Sequence, residues 1–188
     1  MARTPARRRR SATGLTPYLF VAFVVLVCVV GFSAYNWWNP PSATALVGKA
    51  WVIDGDTVIL SGTHIRLEGI DAPETGQTCL DAAEKSWNCG QAATRELRRY
   101  IRGRELTCEP RSKDRYHRVL AVCSLPDGSQ INPWMVRQGW ALSSGFVKTY
   151  ASEETEAENA KRGLWAGSFE PPWEWRRQHP RLEDPRAD

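Results

Sequence analysis

Three carboxylates and an arginine occur together in one short stretch of the sequence, WVIDGDTVILSGTHIRLEGIDAPE, which runs from Trp51 to Glu74. The acids are Asp56, Asp71 and Glu74, and the arginine is Arg66. Carboxylate oxygens are preferred ligands of hard cations such as Ca²⁺ and Mg²⁺, and a carboxylate beside a metal-bound water can act as a general base. An arginine fork near such a cation suits a phosphate group. The stretch therefore predicts metal-assisted chemistry on a phosphate.

Two predicted strands, 57–60 and 64–69, position these side chains. The turn between them is predicted at Ser61-Gly62-Thr63. In this register Ser61 pairs with His64, and every later pair of the hairpin follows from that choice.

The register places Asp56 opposite Gly69. Cross-strand partners and residues two apart point to one side of a sheet, so Asp56 and Asp71 are predicted to share a face at the open end of the hairpin. Strict alternation puts Arg66 on the opposite face. We therefore expect the strand to bulge or bend near Gly69, so that Arg66 and Asp71 serve one site.

A second basic element, DRYHRVL, carries Arg115, Tyr116 and Arg118 at the start of another strand. An arginine there can stabilise the charge that develops in phosphoryl transfer. Each feature also has an ordinary structural explanation. Asp-Gly-Asp-Thr is often only a turn, Arg66 a salt-bridge partner, and DRYHR a solvated loop. The functional interpretation depends on their joint spacing.

The net charge of +4 does not by itself indicate a nucleic-acid-binding protein. The first charges of the chain are five arginines, Arg3, Arg7, Arg8, Arg9 and Arg10. Without them, 20 basic residues face 21 acidic ones. The rest of the chain is therefore not globally basic.

An uncharged, apolar run of 21 residues follows, from Tyr18 to Trp38. About 20 such residues span a bilayer as a helix, and arginines before the span favour a cytoplasmic N-terminus. We expect a single-pass anchor in the plasma membrane, with the rest of the chain in the periplasm or outside the cell. The alternative is a cleaved signal peptide, with Ala43-Thr44-Ala45 as the cleavage box.

The cysteines agree with an external location. Cys28 lies in the apolar run, and Cys79, Cys89, Cys108 and Cys123 follow it without any C-x-x-C pair, so a zinc site is not expected. Four cysteines allow three pairings. Cys108 and Cys123 are equidistant from the turn of a predicted hairpin, which favours Cys108–Cys123 and Cys79–Cys89. The alternative is buried thiols.

Helix patterns alternate with the strands. Ala93, Leu97 and Ile101 recur every four residues within a predicted helix at 90–102. Asn132 is predicted to cap a short second helix that Gly139 ends.

A third helix is predicted to begin near Ser152. Glu153 and Glu154 are expected in its first turn, and Lys161 and Arg162 at its end, as the helix dipole favours.

The pattern as a whole predicts a mainly β fold with helices, of the α+β class: about five strands in a small barrel with about three helices packed on it. An OB-like barrel is one of several choices. We divide the chain into a basic N-terminus (1–17), the apolar span (18–38), a linker (39–46), one domain (47–176) and a loose tail (177–188).

Four ordered motifs, DGDTVIL…IRLEGIDAPE, DRYHRVLAVC, INPWMVRQGWA and ENAKRGLWAG, resemble the thermonuclease family of staphylococcal-nuclease-like proteins. The similarity runs from about Val47 to Trp175. It implies an OB barrel capped by helices and calcium-dependent hydrolysis of DNA and RNA. The cysteines and the apolar span are similar to those of envelope members of the family.

The resemblance also implies roles for individual residues. Asp56, Asp71 and the backbone carbonyl of Ala72 correspond to the calcium ligands. Glu74 corresponds to the general base. Arg66 and Arg118 correspond to the two phosphate-binding arginines, and Arg115 and Tyr116 to residues that bind a terminal phosphate. The sequence departs from the family in one respect: it has Gly145 and Phe146 where a nucleotide-holding tyrosine often occurs.

The predicted function is a monomeric, calcium-dependent nuclease that acts outside the cytoplasm on DNA, RNA or both and leaves 3′-phosphate ends. Two alternatives stay open. One is a membrane-anchored, nuclease-like module that binds nucleic acid or protein with little or no catalysis. The other is an envelope scaffold in which calcium is only structural.

Overall fold

We describe residues 24–28, 30, 44–145 and 148–180 of the 188-residue chain in a computed structural model. The chain divides into two units, residues 1–42 and 43–188.

In the first unit, residues 24–28 and 30 are helical. The remainder of the predicted span at 18–38 lies outside the described residues. Across the ranges described above, no helix has both the length and the apolar character needed to cross a membrane.

The second unit is built on nine described strands. They are β1 (Leu46–Val52), β2 (Thr57–Leu60), β3 (Thr63–Leu67), β4 (Ile70–Asp71), β5 (Cys79–Leu80), β6 (Ser86–Trp87), β7 (Glu105–Lys113), β8 (Val119–Ser124) and β9 (Leu142–Ser143).

Five of these strands form a closed barrel in the order β1-β2-β3-β8-β7, and β7 pairs with β1 to complete it. Neighbouring strands are antiparallel except β3 and β8, which run parallel, with Ile65 opposite Val119. The apolar interior contains fully buried side chains such as Leu60, Ile65 and Leu106. The five-stranded barrel with helices agrees with the expected OB-type α+β architecture.

Four α-helices and one 3₁₀ turn are described beside the barrel. They are α1 (Cys89–Ile101), α2 (Ile131–Arg137), α3 (Ala151–Asn159), the 3₁₀ turn Gly163–Ala166, and α4 (Pro172–Gln178). In α1 the predicted stripe of Ala93, Leu97 and Ile101 is buried in the core, which confirms the helix interpretation of that spacing.

The structure contains both predicted disulfides. Cys108 and Cys123 are direct partners in the β7–β8 register and form one bridge. Cys79 and Cys89 form the other, which ties β5 to the start of α1. Cys28 is a free thiol.

The predicted register of the β2–β3 hairpin is wrong by two residues. The turn consists of Ser61 and Gly62 alone, both with positive φ (50° and 77°), and Thr63 already belongs to β3. Leu60 therefore pairs with Thr63. A two-residue turn with this backbone matches the twist of the flanking strands better than the three-residue turn that we expected. Because the shift is even, each side chain keeps its predicted face.

The predicted cap of the second helix is also wrong. The helix begins at Ile131, and Asn132 is fully buried. The Asn132 amide accepts a hydrogen bond from the backbone N–H of Cys123 (3.0 Å) and donates to the carbonyls of Glu68 (2.9 Å) and Ala121 (3.1 Å). Asn132 therefore joins α2 to β8 and to the end of β3, since buried amides require such partners.

In α3, Glu153 and Glu154 lie in the first turn, as predicted. Lys161 and Arg162 lie beyond its last residue, Asn159. Ala160 is the C-cap, and Lys161 already has positive φ (50°), so neither basic residue belongs to the helix.

Candidate functional site

A sharp bend separates β3 from β4. Glu68 and Gly69 form the turn, and Gly69 has φ of 77°, in the left-handed region that favours glycine. A Cβ at Gly69 would lie 2.9 Å from a ring carbon of the buried Tyr150. The bend expected from the spacing of Arg66 and Asp71 is therefore made at a position that suits glycine on two counts.

Arg66 joins the first two acids. Its Nη1 donates to Oδ1 of Asp56 at 2.8 Å, and its Nη2 donates to Oδ1 of Asp71 at 2.9 Å. One guanidinium thus holds both carboxylates, which are almost entirely buried. These two bonds use two of its five N–H donors, so the same fork retains donors for a further anion.

The segment after the bend packs directly on the end of the hairpin. The backbone N–H of Ala72 donates to Oδ2 of Asp56 at 3.0 Å. A Cβ on Gly55 would approach the Ala72 Cβ to 2.6 Å. Only a glycine at 55 allows this contact, which sets Asp56 beside the chain that carries Asp71.

Asp56 lies in an environment that disfavours its charge. Burial raises the pKa of Asp56 to about 7, although the positive charge of Arg66 acts in the opposite direction. Nearby Asp54 and Asp71 raise it further. An added cation would relieve this repulsion and desolvation.

The donor set fits a hard cation in its chemistry. Oδ1 of Asp56 accepts two described hydrogen bonds, from Thr57 and Arg66. Oδ1 of Asp71 also accepts two, from Arg66 and Arg176. Oδ2 of Asp56 accepts one hydrogen bond, from Ala72, and Oδ2 of Asp71 accepts one, from Arg176. A carboxylate oxygen can accept about two, so each Oδ2 retains capacity for a cation.

Two protein carboxylates supply only part of a calcium shell, which takes six to eight oxygens. In the part of the chain described here, no group of three or more His, Cys, Asp or Glu side chains is arranged to hold a metal ion. Backbone carbonyls and water would have to supply the other ligands.

Glu74 lies beside these acids, with 16% of its side chain exposed. Its backbone N–H donates to the Gln77 side chain at 3.2 Å. Its Oε1 accepts a hydrogen bond at 3.0 Å from Nη1 of Arg176, which donates to Oδ1 of Asp71 at the same distance. The carboxylates of Glu74 and Asp71 therefore accept hydrogen bonds from the same nitrogen, Nη1 of Arg176.

Arg176 is a site residue that the sequence did not reveal. It lies on α4, and its Nη2 also donates to Oδ2 of Asp71 at 2.9 Å. Burial alone would lower the pKa of Arg176, but hydrogen bonds and charge from Asp71 and Glu74 raise it above its ordinary value. The one sequence feature that could have indicated this helix was Pro172, since proline favours the first turn of a helix. A helix that begins there includes the following residues Trp-Glu-Trp-Arg-Arg.

The other residues expected to bind phosphate, Arg115, Tyr116 and Arg118, form a second group at the β7–β8 turn. The carboxylate of Asp114 accepts hydrogen bonds from the backbone N–H of Arg118 (3.0 Å) and from its Nε (2.7 Å). The guanidinium carbons of Arg115 and Arg118 lie 4.8 Å and 5.5 Å from the ring centre of Tyr116. Burial would raise the pKa of Asp114, but the hydrogen bonds from Arg118 and Tyr116 lower it.

Strand register relates Arg118 to the first group. Arg66 is the partner of Leu120 in the parallel β3–β8 pair. Arg118 immediately precedes β8 and is two positions before Leu120, so the alternation of β8, continued by one residue, would put Arg118 on the face of Arg66. Phe146 lies outside the described residues, and the preceding Gly145 is exposed.

The chain resembles a known protein family and several known proteins. Residues 64–167 match the model of the family described as staphylococcal nuclease homologue. Over 127 residues the chain is 33% identical to the succinoglycan biosynthesis protein ExoI of Rhizobium meliloti, a match that covers 66% of each protein.

Two further relatives have nuclease names. An uncharacterized endonuclease of Escherichia coli is 33% identical over 136 residues, covering 66% of this chain and 80% of the relative. A micrococcal nuclease of Shigella flexneri is 32% identical over 144 residues, covering 67% and 77%. With more than half of its residues matched by the family model, the chain belongs to the staphylococcal nuclease homologue family.

Proposed function

We propose that this protein is a calcium-dependent phosphodiesterase that cleaves DNA, RNA or both as an endonuclease and leaves 3′-phosphate ends. The observation that carries the proposal is the single patch in which Arg66 bridges Asp56 and Asp71 while Glu74 lies against Asp71. The names of the endonuclease and micrococcal nuclease relatives support the same reaction class.

Asp56, Asp71 and the carbonyl of Ala72 would hold calcium. Bound there, calcium supplies positive charge that offsets the buried carboxylates and the substrate phosphate. In the proposed reaction Glu74 accepts a proton from the attacking water, whose oxygen bonds to phosphorus. The bond from phosphorus to the 5′-oxygen breaks in line, and the leaving oxygen takes up a proton from solvent, so that a 3′-phosphate and a 5′-hydroxyl result.

The arginines act on the phosphate. Arg66 and Arg118 donate N–H groups to its oxygens, where negative charge grows in the transition state. Asp114 holds Arg118 through Nε at 2.7 Å, and this bond leaves the two Nη groups of that guanidinium to donate to a phosphate. Arg115 and Tyr116 hold a terminal phosphate when one is present.

The proposed location is outside the cytoplasm, with residues 18–38 as a membrane anchor and the N-terminus in the cytoplasm. Two disulfides in the domain support an oxidising compartment. We propose that the protein acts as a monomer.

The test is cleavage by the purified protein of closed circular DNA and of a folded RNA, with calcium and then with a chelator. Cleavage of the circle identifies an endonuclease, and product ends that require a phosphatase before 3′ extension identify a 3′-phosphate. Tight binding of both substrates without cleavage at saturating calcium would favour the binding module instead.

A further inference from the structure

Arg176 reaches the site from a segment that the family match does not include. The match ends at residue 167, and Arg176 lies 105 positions after Asp71 and 102 after Glu74. Even so, its guanidinium makes two hydrogen bonds to Asp71 and one to Glu74, all between 2.9 and 3.0 Å.

Gln77 holds this segment in place. Its side chain is fully buried. Its Oε1 accepts the backbone N–H of Glu74 at 3.2 Å, and its Nε2 donates to the carbonyl of Glu170 at 2.6 Å. One amide therefore connects the backbone of Glu74 to the chain that leads into α4, where Pro172 is also buried. The amide that anchors the backbone of Glu74 therefore also anchors the chain just before α4, the helix that carries Arg176.

We propose that Arg176 is a positioning residue of the active site, whose guanidinium fork holds the Glu74 carboxylate against Asp71 in the orientation that proton transfer requires. This role rests on the nuclease function proposed above. The fork matters because Nη1 serves both acids while Nη2 secures the second oxygen of Asp71. A lysine ammonium is a point charge and cannot reproduce that planar geometry.

The contact is compatible with calcium binding. Arg176 uses one of about two acceptor sites on Oδ2 of Asp71, and Oδ2 of Asp56 accepts only the Ala72 N–H among the described contacts. A cation can therefore share these oxygens with Arg176. Removing Arg176 takes one positive charge from the neighbourhood, so calcium affinity should stay equal or increase.

The experiment compares Arg176→Gln and Arg176→Lys with wild type and with Arg177→Gln. Arg177 is the matched control, because it is the next residue on α4, its side chain is 74% exposed and it pairs with Glu174. For each full-length protein we would measure the calcium Kd by calorimetry, the melting temperature, and kcat and KM at saturating calcium. Methylguanidinium would be added to Arg176→Ala as a chemical rescue.

We expect kcat of Arg176→Gln to fall about 10- to 100-fold, since small misplacement of a catalytic group costs that much. The calcium Kd should be unchanged or lower, Arg176→Lys should not restore kcat, and methylguanidinium should restore part of it. Arg177→Gln should behave as wild type.

Three results would overturn this role. Unchanged or higher kcat in Arg176→Gln, with tighter calcium binding, would make Arg176 a mere competitor of the cation. Loss of both calcium binding and thermal stability in Arg176→Gln and in Arg176→Lys would show that Arg176 only supports the structure. Equal rates in all the proteins would remove it from the reaction, whereas an inactive wild type would instead overturn the nuclease function together with this role.

Discussion

The backbone N–H of Ala72 donates to Oδ2 of Asp56 at 3.0 Å, across 16 positions of the chain. This bond joins the end of the hairpin to the segment that carries Asp71. It also stabilises the charged form of Asp56, which burial disfavours. The Ala72 N–H and the Arg66 guanidinium therefore offset part of the cost of burying the Asp56 charge.

Replacing Asp56 by Asn should weaken calcium binding by at least about tenfold, because a carboxylate is lost from the proposed ligand set. Calorimetric titration with calcium would measure the change. Asp127→Asn is the control, since that carboxylate lies in an exposed turn and its removal should leave the calcium Kd unchanged. Equal Kd values for Asp56→Asn and wild type would exclude Asp56 as a ligand.

The stability of the calcium-free protein should respond to the same residue. Burial raises the pKa of Asp56 from 3.8 to about 7, so between these values the native state binds a proton that the unfolded chain has lost. The contribution of Asp56 to the free energy of unfolding is then complete below about pH 4 and declines as pH rises through about 7. Urea unfolding at several pH values should show this decline in wild type and a flatter profile in Asp56→Asn.

Replacing Glu74 by Gln should lower kcat by about 10²–10⁴-fold, the usual contribution of a general base. Calcium binding should be largely kept, since the proposed ligands are Asp56, Asp71 and Ala72. The measurement is single-turnover cleavage at saturating calcium, with the calcium Kd determined in parallel. If the variant cleaves as fast as wild type, Glu74 is not the base.

The local part of this site could be predicted from the sequence, because the hairpin spacing alone places Asp56 and Asp71 at one end of it. The two-residue error in register did no harm, since an even shift preserves the faces. For Arg66 to reach the same site as Asp71, the strand had to bend between them, and the glycine at position 69 indicated where. These features depend on backbone geometry within a stretch of about 20 residues, where strand periodicity applies.

Arg176 could not be predicted in this way. Its contacts depend on how α4 packs, and a helix of seven residues is too short to show a clear apolar period. Asn132 was missed as a link between α2 and β8 for a related reason. Its type suits a helix cap, and only the tertiary structure shows that its amide serves two strand residues, Cys123 and Ala121.

The Cys108–Cys123 bridge should stabilise the barrel by about 2–4 kcal/mol. We expect the double variant Cys108→Ser/Cys123→Ser to lose that much free energy of unfolding in urea. Cys28→Ser is the matched control, because that thiol is free. An unchanged midpoint and slope in the double variant would contradict a stabilising role.

The location can be tested on cells. The full-length protein would carry one tag at each end. Protease added to spheroplasts should remove the domain with its C-terminal tag, while the N-terminal tag stays protected, as expected of an anchor with its N-terminus in the cytoplasm. N-terminal sequencing of the mature protein completes the test. A mature protein that begins near Leu46 would support signal cleavage, and a domain protected from protease would place it in the cytoplasm.

Gly55→Ala tests whether the close approach of the hairpin to Ala72 assembles the site. The added methyl would lie 2.6 Å from the Ala72 Cβ and 3.2 Å from the Ala93 Cβ, so the hairpin end must move and the Asp56–Ala72 bond must lengthen. We expect a loss of about 1–3 kcal/mol of stability from overpacking and weaker calcium binding. Gly76→Ala is the control, since its Cβ would meet the Trp175 ring at an ordinary 4.0 Å. If Gly55→Ala binds calcium as tightly as Gly76→Ala, the site does not depend on this contact.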